Sequence, residues 1–83
     1  MLELYKKEIS SLVNSKILFN EPLKKHTTFG VGGLASMFIY PSSIDDLKKI
    51  LKYSFKNNIK IFFMGSGSNM LISDDGFNGI VIC

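Results

Sequence analysis

Apolar residues recur along the chain with two different periods. Leu2, Tyr5, Ile9, Leu12 and Val13 fall at helical spacing, which predicts a helix over about residues 2–14 that ends at Asn14-Ser15. Lys16-Ile17-Leu18-Phe19 then reads as a short extended piece, and Asn20-Glu21-Pro22 as a turn. Leu23 to Gly33 reads as an irregular loop, and residues 35–40 as a buried strand. The helical period returns in Ile44, Leu47, Ile50, Leu51 and Phe55, which form the predicted apolar face of a second helix. Ser43 is a good N-cap for it, and Asp45 and Asp46 sit in the first turn, where the helix dipole favours negative charge. Lys48, Lys49, Lys52 and Lys56 point outward or toward the end, which falls at Asn57-Asn58. Lys60 to Met64 is the next strand, residues 74–79 a turn, and Ile80 to Cys83 a last strand.

Strand, helix and strand at this connection length make a βαβ unit. Residues 35–40 and 60–64 are therefore expected to be parallel, with a right-handed crossover. The fold class is α+β: an N-terminal helix, then the βαβ unit and further short strands. Ile80-Val81-Ile82-Cys83 is an uninterrupted apolar run with no polar end. A buried strand needs covered faces and paired edges, so the expectation is that its partner strands lie outside this sequence.

Composition narrows the class. Eighty-three residues make one small domain, and a hydrophobic fraction of 46% belongs to a folded chain rather than a disordered one. The formal net charge of +3 is carried by lysine alone. Those lysines are scattered as Lys6-Lys7, Lys24-Lys25 and Lys48-Lys49 without a stripe, and arginine, the usual base reader, is absent, so nucleic acid is not an expected partner. Cys83 is the one cysteine, which excludes an internal disulfide and a cysteine metal cluster. The N-terminal stretch is charged and amphipathic, unlike a signal peptide, and no apolar run approaches the roughly 20 residues of a membrane span. No membrane partner is expected, and the expected location is cytoplasmic.

Candidate chemistry concentrates in two glycine clusters. In Ile61-Phe62-Phe63-Met64-Gly65-Ser66-Gly67-Ser68-Asn69 an apolar strand runs into a glycine-serine loop. Glycines let the chain adopt φ > 0 and remove side-chain bulk, so a phosphate can approach several main-chain N–H groups together. Ser66, Ser68 and Asn69 add side-chain donors. The loop is a candidate pyrophosphate cradle, the plain alternative being a turn between two strands. It is neither common nucleotide motif: Met70 stands where a dinucleotide fingerprint has its third glycine, and no Gly-Lys-Ser/Thr is present. Thr27-Thr28-Phe29-Gly30-Val31-Gly32-Gly33 is the second cluster, and the two loops can converge on one ligand. His26, the one histidine, reads as a solvent-facing or loop-packing residue beside lysines rather than an acid–base group. Asp74 and Asp75 read as turn formers, Phe38, Phe62 and Phe63 as core, and no serine has a partner at nucleophile spacing.

Three motifs in order carry a resemblance. His26-Thr27-Thr28-Phe29-x-x-Gly32-Gly33-x-Ala35, then Pro41-x-Ser43-x-x-Asp46-Leu47, then Gly65-Ser66-Gly67-Ser68-Asn69-Met70-Leu71 resemble the N-terminal part of the UDP-N-acetylenolpyruvoylglucosamine reductase (UDP-N-acetylmuramate dehydrogenase) family over roughly residues 20–82. The family's usual Gly-Gly-Pro-Ala has Leu34 in place of proline.

The resemblance implies the first subdomain of a two-lobed FAD-binding domain of the UDP-N-acetylmuramate dehydrogenase / vanillyl-alcohol-oxidase type. It implies residues 1–19 as an N-terminal helix and lead-in, and 20–83 as a partial FAD-binding domain. The implied cofactor is FAD, with NADPH as hydride donor, and the implied reaction reduces enolpyruvyl-UDP-N-acetylglucosamine to UDP-N-acetylmuramate in peptidoglycan synthesis. The family's catalytic residues fall in segments beyond Cys83, so no catalytic residue is carried onto this chain, and the UDP-sugar would be met only through those segments. By itself this chain is expected to be inactive. The implied cofactor-binding residues are Gly65, Ser66, Gly67, Ser68, Asn69 and Met70, joined by Thr28, Gly32 and Gly33. The alternatives are an FAD-binding fragment of a related oxidase-type flavoprotein and a non-catalytic remnant or interaction module.

Overall fold

The computed structural model describes residues 3–26, 33–64 and 76–83. Two helices and a mixed four-stranded sheet make an α+β unit. In chain order they are α1 (Glu3–Leu12), β1 (Lys16–Pro22), a 3-10 helix (Leu23–His26), β2 (Leu34–Tyr40), α2 (Ile44–Lys56), β3 (Ile61–Phe63) and β4 (Phe77–Ile82). The strands lie in the order β1-β2-β4-β3. β1 is antiparallel to β2, while β4 is parallel to both β2 and β3.

That order corrects the simple βαβ expectation. β2 and β3 do run the same way, but β4 is inserted between them. Phe38 and Phe62 both pair with Val81, one from each side. Consecutive strands are neighbours only about two-thirds of the time. The same insertion explains the apolar run at 80–82. β4 is the central parallel strand, paired along both edges, and Ile80, Val81 and Ile82 are buried. Its partner strands are β2 and β3 of this chain, contrary to the expectation that they lie outside it. β4 also begins at Phe77, so residues 77–79 belong to a strand and not to the predicted turn.

Two further boundaries move. Glu21 and Pro22, expected in a turn, end β1, where they pair with Ala35 and Leu34. Proline is tolerated because β1 is an edge strand. The chain does break locally at Asn20, whose φ of 52° is a left-handed conformation that asparagine accepts more readily than most residues. The segment after Pro22, expected to be irregular, starts with a turn of 3-10 helix.

The sheet has an apolar layer on each face. On the first, Met37, Ile39, Ile80 and Ile82 pack with Ile9 and Val13 of the α1 region and Ile50 of α2. On the second, Ala35, Phe38 and Val81 pack with Leu23 and Met64, bordered by Leu18, Tyr40, Phe62 and Phe77. Each fully buried Ile, Val, Phe or Met side chain here contributes roughly 1.5–3 kcal/mol.

α2 forms as its caps dictate. The Ser43 side chain accepts a hydrogen bond from the Asp46 N–H at 3.1 Å, and Asn57 closes the helix, its N–H donating to the Tyr53 carbonyl at 3.1 Å. Its buried line is Asp46, Ile50 and Ser54, flanked by Leu47, Leu51 and Tyr53. Ile44 and Phe55, placed on the apolar face by periodicity, are 72% and 88% exposed, and Phe63, expected in the core, is 57% exposed. The buried face is therefore turned toward Asp46, which has hydrogen-bond donors within reach. Its Oδ2 accepts from Asn14 N–H at 2.9 Å, Ser15 Oγ at 2.6 Å and Ser42 Oγ at 3.0 Å. These bonds tie the end of α1 to the start of α2.

Candidate functional site

The two glycine clusters sit in two connections of the sheet. Residues 23–33 join the antiparallel pair β1 and β2, and residues 64–76 join the parallel pair β3 and β4. Gly65, Ser66, Gly67, Ser68, Asn69 and Met70, with Thr28 and Gly32, lie outside the described residues, as do Asp74 and Asp75. Gly33 is described: it is half-buried, and its carbonyl accepts the Leu23 N–H at 2.8 Å, which closes the β1–β2 connection at its base.

The residues that flank the clusters show what the fold brings together. Downstream, Gly76 lies against Leu34: a Cβ on Gly76 would sit 2.5 Å from the Leu34 carbonyl oxygen. Gly76 has φ +88°, so glycine is needed there twice over, for conformation and for space. Upstream, His26 and Met64 belong to the second face. The His26 ring stacks on Phe38 with centroids 4.1 Å apart and planes 22° apart. Met64 joins the same buried group as Phe38 and Leu23, and its N–H donates to the Ile82 carbonyl at 2.8 Å. The second connection therefore starts at the carboxyl end of β3 and returns to the amino end of β4, beside the end of the first.

The carboxyl ends of β2, β4 and β3 lie along one edge, the edge at which open α/β sheets receive ligands. There a groove of about 520 Å³ is lined by Pro41, Ser42, Ile44, Phe63, Met64 and Cys83, among others. It is mostly apolar, with the Ser42 and Ser43 hydroxyls at one side and the free Cys83 thiol exposed. The Asp46 carboxylate behind it is held below its ordinary pKa of 3.8, first by the Ser15 hydrogen bond and further by Ser42, Asn14 and the Lys49 charge, against the opposing effect of burial.

An FAD pyrophosphate is compatible with these flanks. Gly33, Leu34, Met64 and Gly76 carry no charged side chain to repel it, and the nearby Glu21 is paired with His26 at 2.7 Å. Among the described residues no group of three metal-ligating side chains gathers. The His26–Glu21 pair is the feature that sequence reasoning missed. Its signal was a histidine five residues after a glutamate, bridged by one helical turn, but the turn assigned to Asn20-Glu21-Pro22 hid it.

No helix among the described residues is long and apolar enough to cross a membrane. Residues 35–83 match the family described as FAD binding domain. The chain is 41% identical over 75 residues to UDP-N-acetylenolpyruvoylglucosamine reductase of Desulforamulus reducens, covering 90% of this chain and 25% of that protein. It is 39% identical over 77 residues to the reductase of the same name from Carboxydothermus hydrogenoformans, covering 93% and 26%. A Bacillus cereus protein named UDP-N-acetylenolpyruvoylglucosamine reductase 2 is 38% identical over 82 residues, covering 99% and 27%. The chain thus spans about a quarter of the length of the curated relatives it matches. With more than half of its residues matched by that description, the chain belongs to the FAD binding domain family, in the part of it similar to UDP-N-acetylenolpyruvoylglucosamine reductases.

Proposed function

We propose that this chain supplies the FAD pyrophosphate site of a cytoplasmic, NADPH-dependent reductase that converts enolpyruvyl-UDP-N-acetylglucosamine to UDP-N-acetylmuramate. The observation that carries the proposal is the similarity to reductases of that name over nine-tenths of this chain. The fold supports it, because Met64, which precedes the 65–69 segment in sequence, lies at the carboxyl end of β3, the side on which open α/β sheets take ligands.

In this reading Gly65 and Gly67 open the main chain to the phosphates, and Ser66, Ser68, Asn69 and Met70 complete the cradle. Thr28, Gly32 and Gly33 flank it from the β1–β2 connection. FAD, when bound, supplies hydride transfer; this chain supplies binding and orientation. The FAD-binding unit takes in residues 20–83, and the UDP-sugar is met by polypeptide other than these 83 residues.

A graft tests the proposal. Residues 3–83 replace the matching quarter of the Desulforamulus reducens reductase, and the purified chimaera is assayed for bound FAD and for NADPH oxidation that depends on the enolpyruvyl substrate. The expected result is a yellow, active chimaera, with no turnover from the 83-residue chain alone. A folded chimaera that holds no FAD contradicts the proposal.

A further inference from the structure

We propose that His26 is a positioning residue: it latches the start of the β1–β2 connection to the second face of the sheet, and FAD affinity depends on that latch. The second half of this rests on the FAD reading above.

Three observations carry it. First, Nε2 of His26 lies 2.7 Å from Oε2 of Glu21 on β1, and the two side chains are only 20% and 16% exposed. A carboxylate only accepts, so Nε2 carries the proton and donates. Second, the same ring stacks on Phe38, which is fully buried in β2 and meets Tyr40 at 5.3 Å. One imidazole therefore grips both strands that the connection joins. Third, the base of the connection is closed by the Leu23 N–H···O=C Gly33 bond, so its two fixed points are this bond and the His26 latch.

A residue that only filled space here would not need a polar partner. The Glu21 bond fixes the rotation of the ring, and stacking fixes its depth. Together they fix the His26 side chain against both strands. Neighbouring Lys24 and Lys25, on the same turn, are exposed and make no such grip among the described residues.

The test uses the 83-residue chain for exchange and the chimaera described above for FAD, each unaltered and as His26→Ala and His26→Gln. Amide hydrogen exchange reads the latch, and quenching of FAD fluorescence reads cofactor binding. His26→Ala is expected to speed exchange at the Leu23 amide by about tenfold or more, the effect of losing one hydrogen bond to a charged group. Exchange at the Phe38 and Val81 amides is expected to stay as it was, which separates local release from unfolding. FAD affinity is expected to fall about fivefold or more. His26→Gln, which still donates to Glu21, is expected to recover most of both losses.

Unchanged Leu23 exchange in His26→Ala overturns the latch. A released Leu23 with unchanged FAD affinity overturns the link to the cofactor. Absence of FAD from the folded, unaltered chimaera overturns the FAD reading and the link with it, and the exchange result then still decides the latch on its own.

Discussion

Gly76 and Leu34 meet backbone to backbone. The position a Cβ would take on Gly76 is 2.5 Å from the Leu34 carbonyl oxygen and 3.1 Å from its nitrogen. Gly76 immediately precedes β4 and Leu34 opens β2, so the contact joins the downstream ends of the two glycine-bearing connections. Only glycine satisfies both φ +88° and this approach. Gly76→Ala is therefore expected to cost about 2 kcal/mol or more, combining left-handed strain with displacement of the Leu34 main chain. Urea unfolding of the two proteins measures it, and equal midpoints would remove the contact from the account.

Asp46 gives a pH signature. Its folded-state pKa lies below the ordinary 3.8 because Ser15, Ser42 and Asn14 donate to the carboxylate. A lowered acid pKa adds stability that is present above the unfolded value and disappears as pH falls through the folded value. Asp46→Asn is expected to melt lower than the unaltered chain at neutral pH, and the gap is expected to close well below pH 3.8. A gap that stays constant with pH would show that the carboxylate charge is not what Ser15 and Asn14 hold.

Tyr53 gives the opposite sign at the other end of the scale. Its hydroxyl donates to Glu8, and its ring meets Tyr5 edge-on at 5.9 Å, joining α1 to α2. Burial first, then the Glu8 hydrogen bond and charge, push its pKa from 10.0 to about 12. The neutral phenol is the stabilising form. Its contribution is whole below 10.0 and is lost as pH rises through about 12. Ultraviolet titration is expected to show Tyr53 ionising near the top of that range. Glu8→Gln is expected to bring the transition down toward 10.0, and an unmoved transition would contradict the pairing.

Ser54 carries a cost. Its hydroxyl is buried at 1% exposure with no hydrogen-bond partner among the described residues. Removing an unsatisfied buried hydroxyl relieves desolvation, so Ser54→Ala is expected to stabilise the chain by about 1 kcal/mol. Thermal unfolding reads this directly, and a lower melting temperature would mean that the hydroxyl is bonded in solution.

Local signals in the sequence were strong enough to place α2. Ser43 and Asn57 are terminal chemistry that works within a few residues, and both cap the helix as expected, with Asp45 and Asp46 in its first turn. The periodicity of Ile44 and Phe55 misled because helix rotation is set by partners elsewhere in the chain, here Asn14 and Ser15 reaching Asp46. Strand order was hidden for the same reason. Nothing in Ile80-Val81-Ile82 says that the strand will slot between β2 and β3, although its apolar run on both faces is the mark of a central strand. At the candidate site, ordered motifs exposed the family, while the 65–69 segment that glycine and serine spacing singled out lies outside the described residues. The His26–Glu21 pair was not legible, because it depends on β1 extending through Pro22 and on a 3-10 turn that swings His26 back over Phe38.

The central claim is that the segment after β3 takes a pyrophosphate. The most direct measurement is the affinity of this chain for FAD, ADP and riboflavin, with and without Gly67→Val. The account predicts that FAD and ADP bind competitively, that riboflavin, which lacks the pyrophosphate, binds far more weakly, and that Gly67→Val weakens FAD and ADP together. Equal affinity for FAD and riboflavin, or FAD binding unchanged by Gly67→Val, would contradict it.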